Sequence, residues 1–225
     1  MIPLRDDSAL TRTPLVTWAL VGACVLIFLW QFSLGAAGFN RVVFTLGVIP
    51  AVLLGHAQLP PELAVVPPAA TIVTSMFLHG GWLHLAGNML YLWVFGDNVE
   101  DRMGRFRFIL FYLACGVFAV FAQALPEPQA RVPMIGASGA ISGVLGAYLL
   151  WFPRNRVLVL VPFGFILKVI RLPAVWVLGL WFGIQLLASL MAPPSEGGVA
   201  FRAHLGGFVA GLALAPLFLA GRRKS

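Results

Sequence analysis

Seven polar side chains set in apolar surroundings are candidates for chemistry in this sequence: His79, His84, Asn88, Ser138, Ser142, Gln185 and His204. Polar groups inside apolar spans are costly to place and are functional candidates by default. Ser138 lies in Gly136-Ala137-Ser138-Gly139-Ala140-Ile141-Ser142-Gly143, a serine among glycines at the start of an apolar run that ends at Trp151. A serine hydroxyl is a weak nucleophile without a base in hydrogen-bond reach. His204 opens another apolar run and can be that base, taking the serine proton and returning it to a leaving amine. Every Asp and Glu falls in a loop or at the end of a run. The expectation is therefore a Ser138–His204 dyad with no third, acidic member.

His84 and Asn88 are four apart and share one helix face. Two readings fit them: hydrogen bonds that hold neighbouring helices together, or donors to an oxyanion. In the second case they would join the free N–H groups at the start of the Ser138 helix. Other chemistries fit less well. There is no His-Glu-x-x-His, and His79 and His84, five apart on a helix, would diverge by about 140°. No two aspartates are embedded in the runs, and Ala140 breaks the Gly-x-Ser-x-Gly pattern. No metal and no cofactor is expected. Cys24 and Cys115 lie in mid-run and read as small core residues.

These side chains must be positioned by a mostly apolar chain. It has 225 residues, 60% hydrophobic and 10% charged, with a mean hydropathy of +0.93. A soluble domain carries about 25% charge, so the reading is an integral membrane protein of one domain. Six apolar spans are expected: 14–34, 72–95 with its 77–83 portion at the interface, 106–125, 138–151, 172–191 and 204–220. Residues 1–13 form an N-terminal segment, 14–220 the membrane domain and 221–225 a basic tail. A long segment rich in Pro and Gly, Gly35–Ala70, separates the first two spans. The first run begins after Pro14 with no small-residue cleavage site behind it, and reads as a retained anchor.

The net charge of +7 does not imply nucleic acid, because the cations sit at the ends of the apolar runs rather than on one face. Twelve of the fifteen Lys and Arg fall on one set of ends; Arg41, Arg131 and Arg202 fall on the other. The positive-inside rule then places both termini in the cytoplasm and the loops 35–70, 126–137 and 192–203 outside. The run 138–151 spans roughly 21 Å against a hydrocarbon core of roughly 30 Å. Ser138 should therefore lie below the outer surface, at the floor of a water-filled cavity under the loop 126–137. The stripes Gly139-x-x-x-Gly143 and Ala203-x-x-x-Gly207-x-x-x-Gly211 should pack spans four and six backbone to backbone, with Ser138 and His204 at one depth.

Together, His79-x4-His84-x3-Asn88, Gly136-Ala137-Ser138-Gly139 and Ala203-His204-x2-Gly207 resemble the rhomboid intramembrane serine proteases. Phe95-Gly96-Asp97-Asn98-Val99-Glu100-Asp101 and Gly104-Arg105-Phe106 are similar to that family's end of helix 2. The likeness runs from about Val43 to Gly211. It implies an all-α membrane protein, a six-transmembrane-helix rhomboid-like bundle, that cleaves transmembrane protein substrates near the outer face. By motif, Ser138 is the nucleophile and His204 the base. Ser138 N–H, His84 and Asn88 form the oxyanion hole, with His79, Gly136 and Gly139 in support. Leu172–Met191 and Ala192–Ala203 would gate substrate entry. Ser142 departs from members that carry an aromatic residue there against the histidine, and the first outer loop lacks the Trp-Arg pair of some members. The implied partners are transmembrane substrates and lipids; the lack of a seventh span or a transit peptide sets the expected location as a bacterial inner membrane. The alternative is an inactive relative that binds transmembrane clients.

Overall fold

The computed structural model describes residues 1–163, 166–191 and 200–219. The tail 221–225 and residues 192–199 of the expected gating loop lie outside the described residues. In chain order, α1 (Leu15–Ser33) is followed by α2 (Gly35–Leu46) and the one-turn helices α3 (Pro50–Leu53) and α4 (Thr71–Thr74). Then come α5 (Trp82–Met103), α6 (Arg105–Ala124), α7 (Ser138–Trp151), α8 (Ala174–Met191) and α9 (Phe201–Leu219). Helix satisfies every backbone group within the segment, which apolar surroundings demand. Four of these, α1, α6, α8 and α9, are long and apolar enough to cross a membrane. Exposed Leu26, Trp176, Leu187 and Leu217 stud their outer faces, as expected where the solvent is lipid.

Two helices differ from expectation. The second span does not run as helix from Ile72. α4, a 3₁₀ turn at Ser75–Phe77 and an extended stretch precede α5. Gly80-Gly81 explains the break, since paired glycines cost helix stability and Gly81 is fully extended. The helix also continues past Phe95, through Asp97, Glu100 and Asp101, until Gly104 stops it at φ +84°. In addition, Gly35–Leu46 is helical, turned away from α1 by Gly35 at φ +68°.

The expectation of an all-α chain needs correcting. Strands β1 (Ile2–Asp6), β2 (Arg156–Phe163) and β3 (Ile166–Pro173) form an antiparallel sheet in the order β1-β2-β3. Val157 and Val159 are fully buried, opposite Leu172 and Ile170. β-branched side chains at alternate positions suit a pleated surface better than a helix. The sheet joins the N-terminal segment to the link between α7 and α8.

Buried acids hold the same end together. Glu100, 2% exposed, accepts hydrogen bonds from Val16 N–H (3.0 Å), Thr17 N–H (2.7 Å) and the Thr17 hydroxyl (2.8 Å). A side chain from α5 thus caps α1 and sets a negative charge at its N-terminus. Asp6 accepts from Asn98 (2.9 Å) and from the Tyr148 hydroxyl (2.6 Å), tying β1 to α5 and α7.

α7 is central, buried from Gly139 to Tyr148 between α5, α6 and α9. Against α9 the packing is backbone to backbone. A Cβ on Gly207 or Gly211 would overlap the carbonyl of Gly139 or Gly143, and one on Gly146 the carbonyl of Phe208. The α7 stripe serves α6 as well. A Cβ on Gly139 would lie 2.6 Å from Ala119 Cβ, and one on Gly143 would overlap Cys115, which is a buried free thiol.

Candidate active site

Close packing of α7 and α9 brings their first turns together. Ser138 Oγ lies 2.8 Å from His204 Nε2. His204 is 9% exposed. The two glycine contacts follow within seven residues of His204, so the backbone approach that they permit sets the separation of this pair. His204 Nδ1 lies 2.6 Å from Gln185 Oε1 on α8. The ring centroid of His204 is 6.0 Å from that of Trp181, also on α8, and 6.5 Å from that of Phe201. The sequence marks Gln185 only as a lone amide in an apolar helix, because its contact with His204 joins residues nineteen apart across two helices.

The second cluster converges on Gly136. A Cβ built there would lie 2.7 Å from His84 Nε2 and 3.6 Å from Asn88 Nδ2. Both nitrogens therefore face the same spot beside the Gly136 backbone. Gly136 has φ +120°, a conformation side chains rarely adopt, and its N–H donates to the Ser75 carbonyl at 2.9 Å. His84 Nδ1 accepts from Gly80 N–H at 3.3 Å, which leaves Nε2 to carry the ring proton. Asn88 Nδ2 is buried and has no partner among the described residues. Such a donor costs stability unless something accepts its proton.

His79 is fully buried in the extended stretch before α5, not on the helix. Its N–H donates to Gln31 Oε1 at 3.1 Å. The divergence expected of a helical His79/His84 pair is thus absent: the rings meet edge to face at 5.2 Å. Among the described residues, no group of three or more His, Cys, Asp or Glu could hold a metal there. Ser142 Oγ donates back to the Ser138 carbonyl at 2.6 Å and Ser142 lies beside Gly207. It is a packing residue of the α7–α9 contact, and the support for His204 comes from α8. Gly139 underlies Ser138 and meets Ala119.

A cavity of about 650 Å³ opens over the pair, lined by Ser138, His204, His84, Gln123, Glu127, Ala200 and the loop residues Ala130 and Val132 to Ile135. That loop is pinned by mutual hydrogen bonds between Val48 and Met134 (3.0 and 2.7 Å). The arrangement sets a hydroxyl, its imidazole partner and the His84 ring around one space, with Asn88 buried behind Gly136.

A family model described as the rhomboid domain matches residues 68–221. Over 85 residues, 38% of this chain, the sequence is 45% identical to the rhomboid protease GluP of Bacillus subtilis (strain 168). Over 95 residues, 40% of the chain, it is 35% identical to the mitochondrial rhomboid protein 1 of Saccharomyces cerevisiae. Over 131 residues, 56% of the chain, it is 28% identical to the mitochondrial presenilin-associated rhomboid-like protein of Mus musculus. The matched stretches span 16%, 28% and 34% of those relatives' own lengths. The matched domain takes in every residue of the pair and of the donor cluster, over more than half of the sequence, and this chain belongs to the rhomboid family.

Proposed function

We propose that this chain is an intramembrane serine endopeptidase that hydrolyses a peptide bond of transmembrane protein substrates. The observation that carries the reading is the 2.8 Å contact between Ser138 Oγ and His204 Nε2 at the floor of the cavity. His204 Nε2 takes the Ser138 proton as Oγ attacks the scissile carbonyl carbon. The carbonyl oxygen becomes an oxyanion, received by the Ser138 N–H, His84 Nε2–H and Asn88 Nδ2–H. Those donors are held before substrate arrives, which is where such stabilisation is most effective. The C–N bond breaks as Nε2 gives its proton to the leaving amine. Water then enters the cavity, loses a proton to Nε2 and attacks the acyl ester, and the serine regains its hydrogen.

In this reading six helices cross the membrane, with α5 and the short α7 added to the four long apolar ones. Both termini and the sheet lie in the cytoplasm with most of the cations, and the cavity opens to the other side. A bacterial plasma membrane is the location in this reading; the relatives matched come from bacteria and from mitochondria alike.

Labelling by a fluorophosphonate in detergent tests the proposal. Folded protein should be modified at Ser138 and should cleave a reporter with one transmembrane helix, while Ser138→Ala and His204→Ala should fall to background. A folded protein that binds the reporter yet leaves Ser138 unmodified would instead be an inactive, client-binding relative.

A further inference from the structure

Resting on the dyad just proposed, we propose that Gln185 is a positioning residue for His204, a third, uncharged member of the array supplied by α8. Gln185 Oε1 lies 2.6 Å from Nδ1. An amide oxygen only accepts, so Nδ1 carries the hydrogen and Nε2 presents its lone pair. Nε2 is the nitrogen 2.8 Å from Ser138 Oγ. A neutral imidazole can carry its proton on either nitrogen, and only the Nδ1–H form accepts from the serine. Gln185 selects that form. When Nε2 takes the serine proton, Nδ1–H keeps its partner, and no other group changes protonation.

The contact matters more here because nothing else performs the task. No carboxylate hydrogen-bonds or ion-pairs with His204 among the described residues. Glu127, which lines the same cavity, is engaged with Arg202. Ser142 spends its hydroxyl on the Ser138 carbonyl. Trp181 is four residues before Gln185, on the same face of α8, and sets its ring beside the imidazole. One face of α8 thus supplies both an acceptor and an aromatic wall.

This has a consequence for regulation of the site. The buried residues of α8, Ala174, Val177 and Leu178, all belong to its first turns. Its other half carries Gln185 and meets the bundle through contacts to α9. Displacement of that half would withdraw the acceptor from His204, so the base is aligned only while α8 is seated.

The experiment uses the full chain with two substitutions. Gln185→Met keeps the length of the side chain without a good acceptor, and Gln185→Glu keeps an acceptor oxygen. The measurements are the rate of fluorophosphonate labelling of Ser138, and kcat and KM for the transmembrane reporter. Gln185→Met should slow labelling and kcat together by about tenfold, with KM unchanged within about twofold. Gln185→Glu should recover to within about threefold of the parent. A wild-type labelling rate in Gln185→Met overturns the proposal. So does a loss confined to KM, or a Gln185→Glu variant as slow as Gln185→Met; either outcome would mean that Gln185 only packs α8. Gln185→Asn, which draws the oxygen back by one methylene, gives a second reading if Gln185→Met does not fold: it should be slow, and parental speed overturns the proposal. If the parent itself fails to label, the protease reading falls. If the parent labels and the variants match it, only the role of Gln185 falls.

Discussion

Replacing Gly207 by alanine tests whether backbone contact between α7 and α9 sets the distance across the dyad. The new Cβ would overlap the Gly139 carbonyl oxygen and lie 2.9 Å from its carbon, closer than the 3.0 Å that real Cβ atoms keep. The obstacle is backbone at the centre of the bundle, which cannot swing aside as a side chain could. α9 must therefore retreat from α7 by about 1 Å in so closely packed a core. Gly207 is three residues from His204, and Gly139 adjoins Ser138, so nearly all of that retreat reaches the dyad. The Nε2–Oγ separation would open from 2.8 Å to about 3.8 Å, beyond hydrogen-bond range. A misplacement of about 1 Å costs about 100-fold in rate, while overpacking costs about 1–3 kcal/mol of stability. The protein should thus remain folded in the cold and lose activity. Labelling of Ser138 and thermal unfolding in one detergent measure the two effects. Gly211→Ala makes the same overlap with the Gly143 carbonyl, farther from the site. It should cost similar stability and about tenfold less activity. Gly22→Ala, with nothing within 4 Å, is the control. A folded Gly207→Ala protein that labels within about threefold of the parent would refute the reasoning.

Asn88→Ala should lower kcat by about 10²–10³-fold and change stability by less than about 1 kcal/mol, since Nδ2 has no partner to lose; the opposite pattern in kinetics and melting would make Asn88 a bundle contact. Gly136→Ala places a Cβ 2.7 Å from His84 Nε2 at φ +120°, which should abolish labelling and cost about 1–3 kcal/mol in backbone strain. Glu100→Gln removes the charge that caps α1 and should lower stability by about 1–2 kcal/mol. Its kcat should stay unchanged, and an unaltered melting temperature would count against the capping role.

Much of the helical frame was legible from residue types alone. The run 138–151 coincides with α7, and the spans expected around α1, α6, α8 and α9 start or end within a few residues of those helices. Hydropathy reads such segments well because lipid leaves the backbone few alternatives to helix. It reads poorly where polar groups find partners inside the protein. The α5 helix passes Phe95 because its Glu100 accepts from Thr17 of α1 and its Asn98 donates to Asp6 of β1, and those partners lie more than eighty residues away in sequence. The sheet has a related cause. Val157, Val159 and Ile170 lie in the link between the expected spans 138–151 and 172–191, and the strand from the N-terminal segment that pairs with this link is about 150 residues away in sequence.

The chemistry divides along the same line. Residue types and spacing alone make Ser138 and His204 candidates for a pair, and place His84 and Asn88 on one helix face, where a bundle contact and a donor to an oxyanion both fit. That α7 and α9 pack closely also follows from their small-residue stripes. The angle of approach, the side of α7 given to α6 and the support for His204 do not follow. Those depend on which side chains face one another across helices, and periodicity along one helix does not specify its rotation against the next. Gln185 shows this most clearly: in the sequence it is one amide in a greasy helix, and only the packing of α8 on α9 sets its oxygen 2.6 Å from Nδ1.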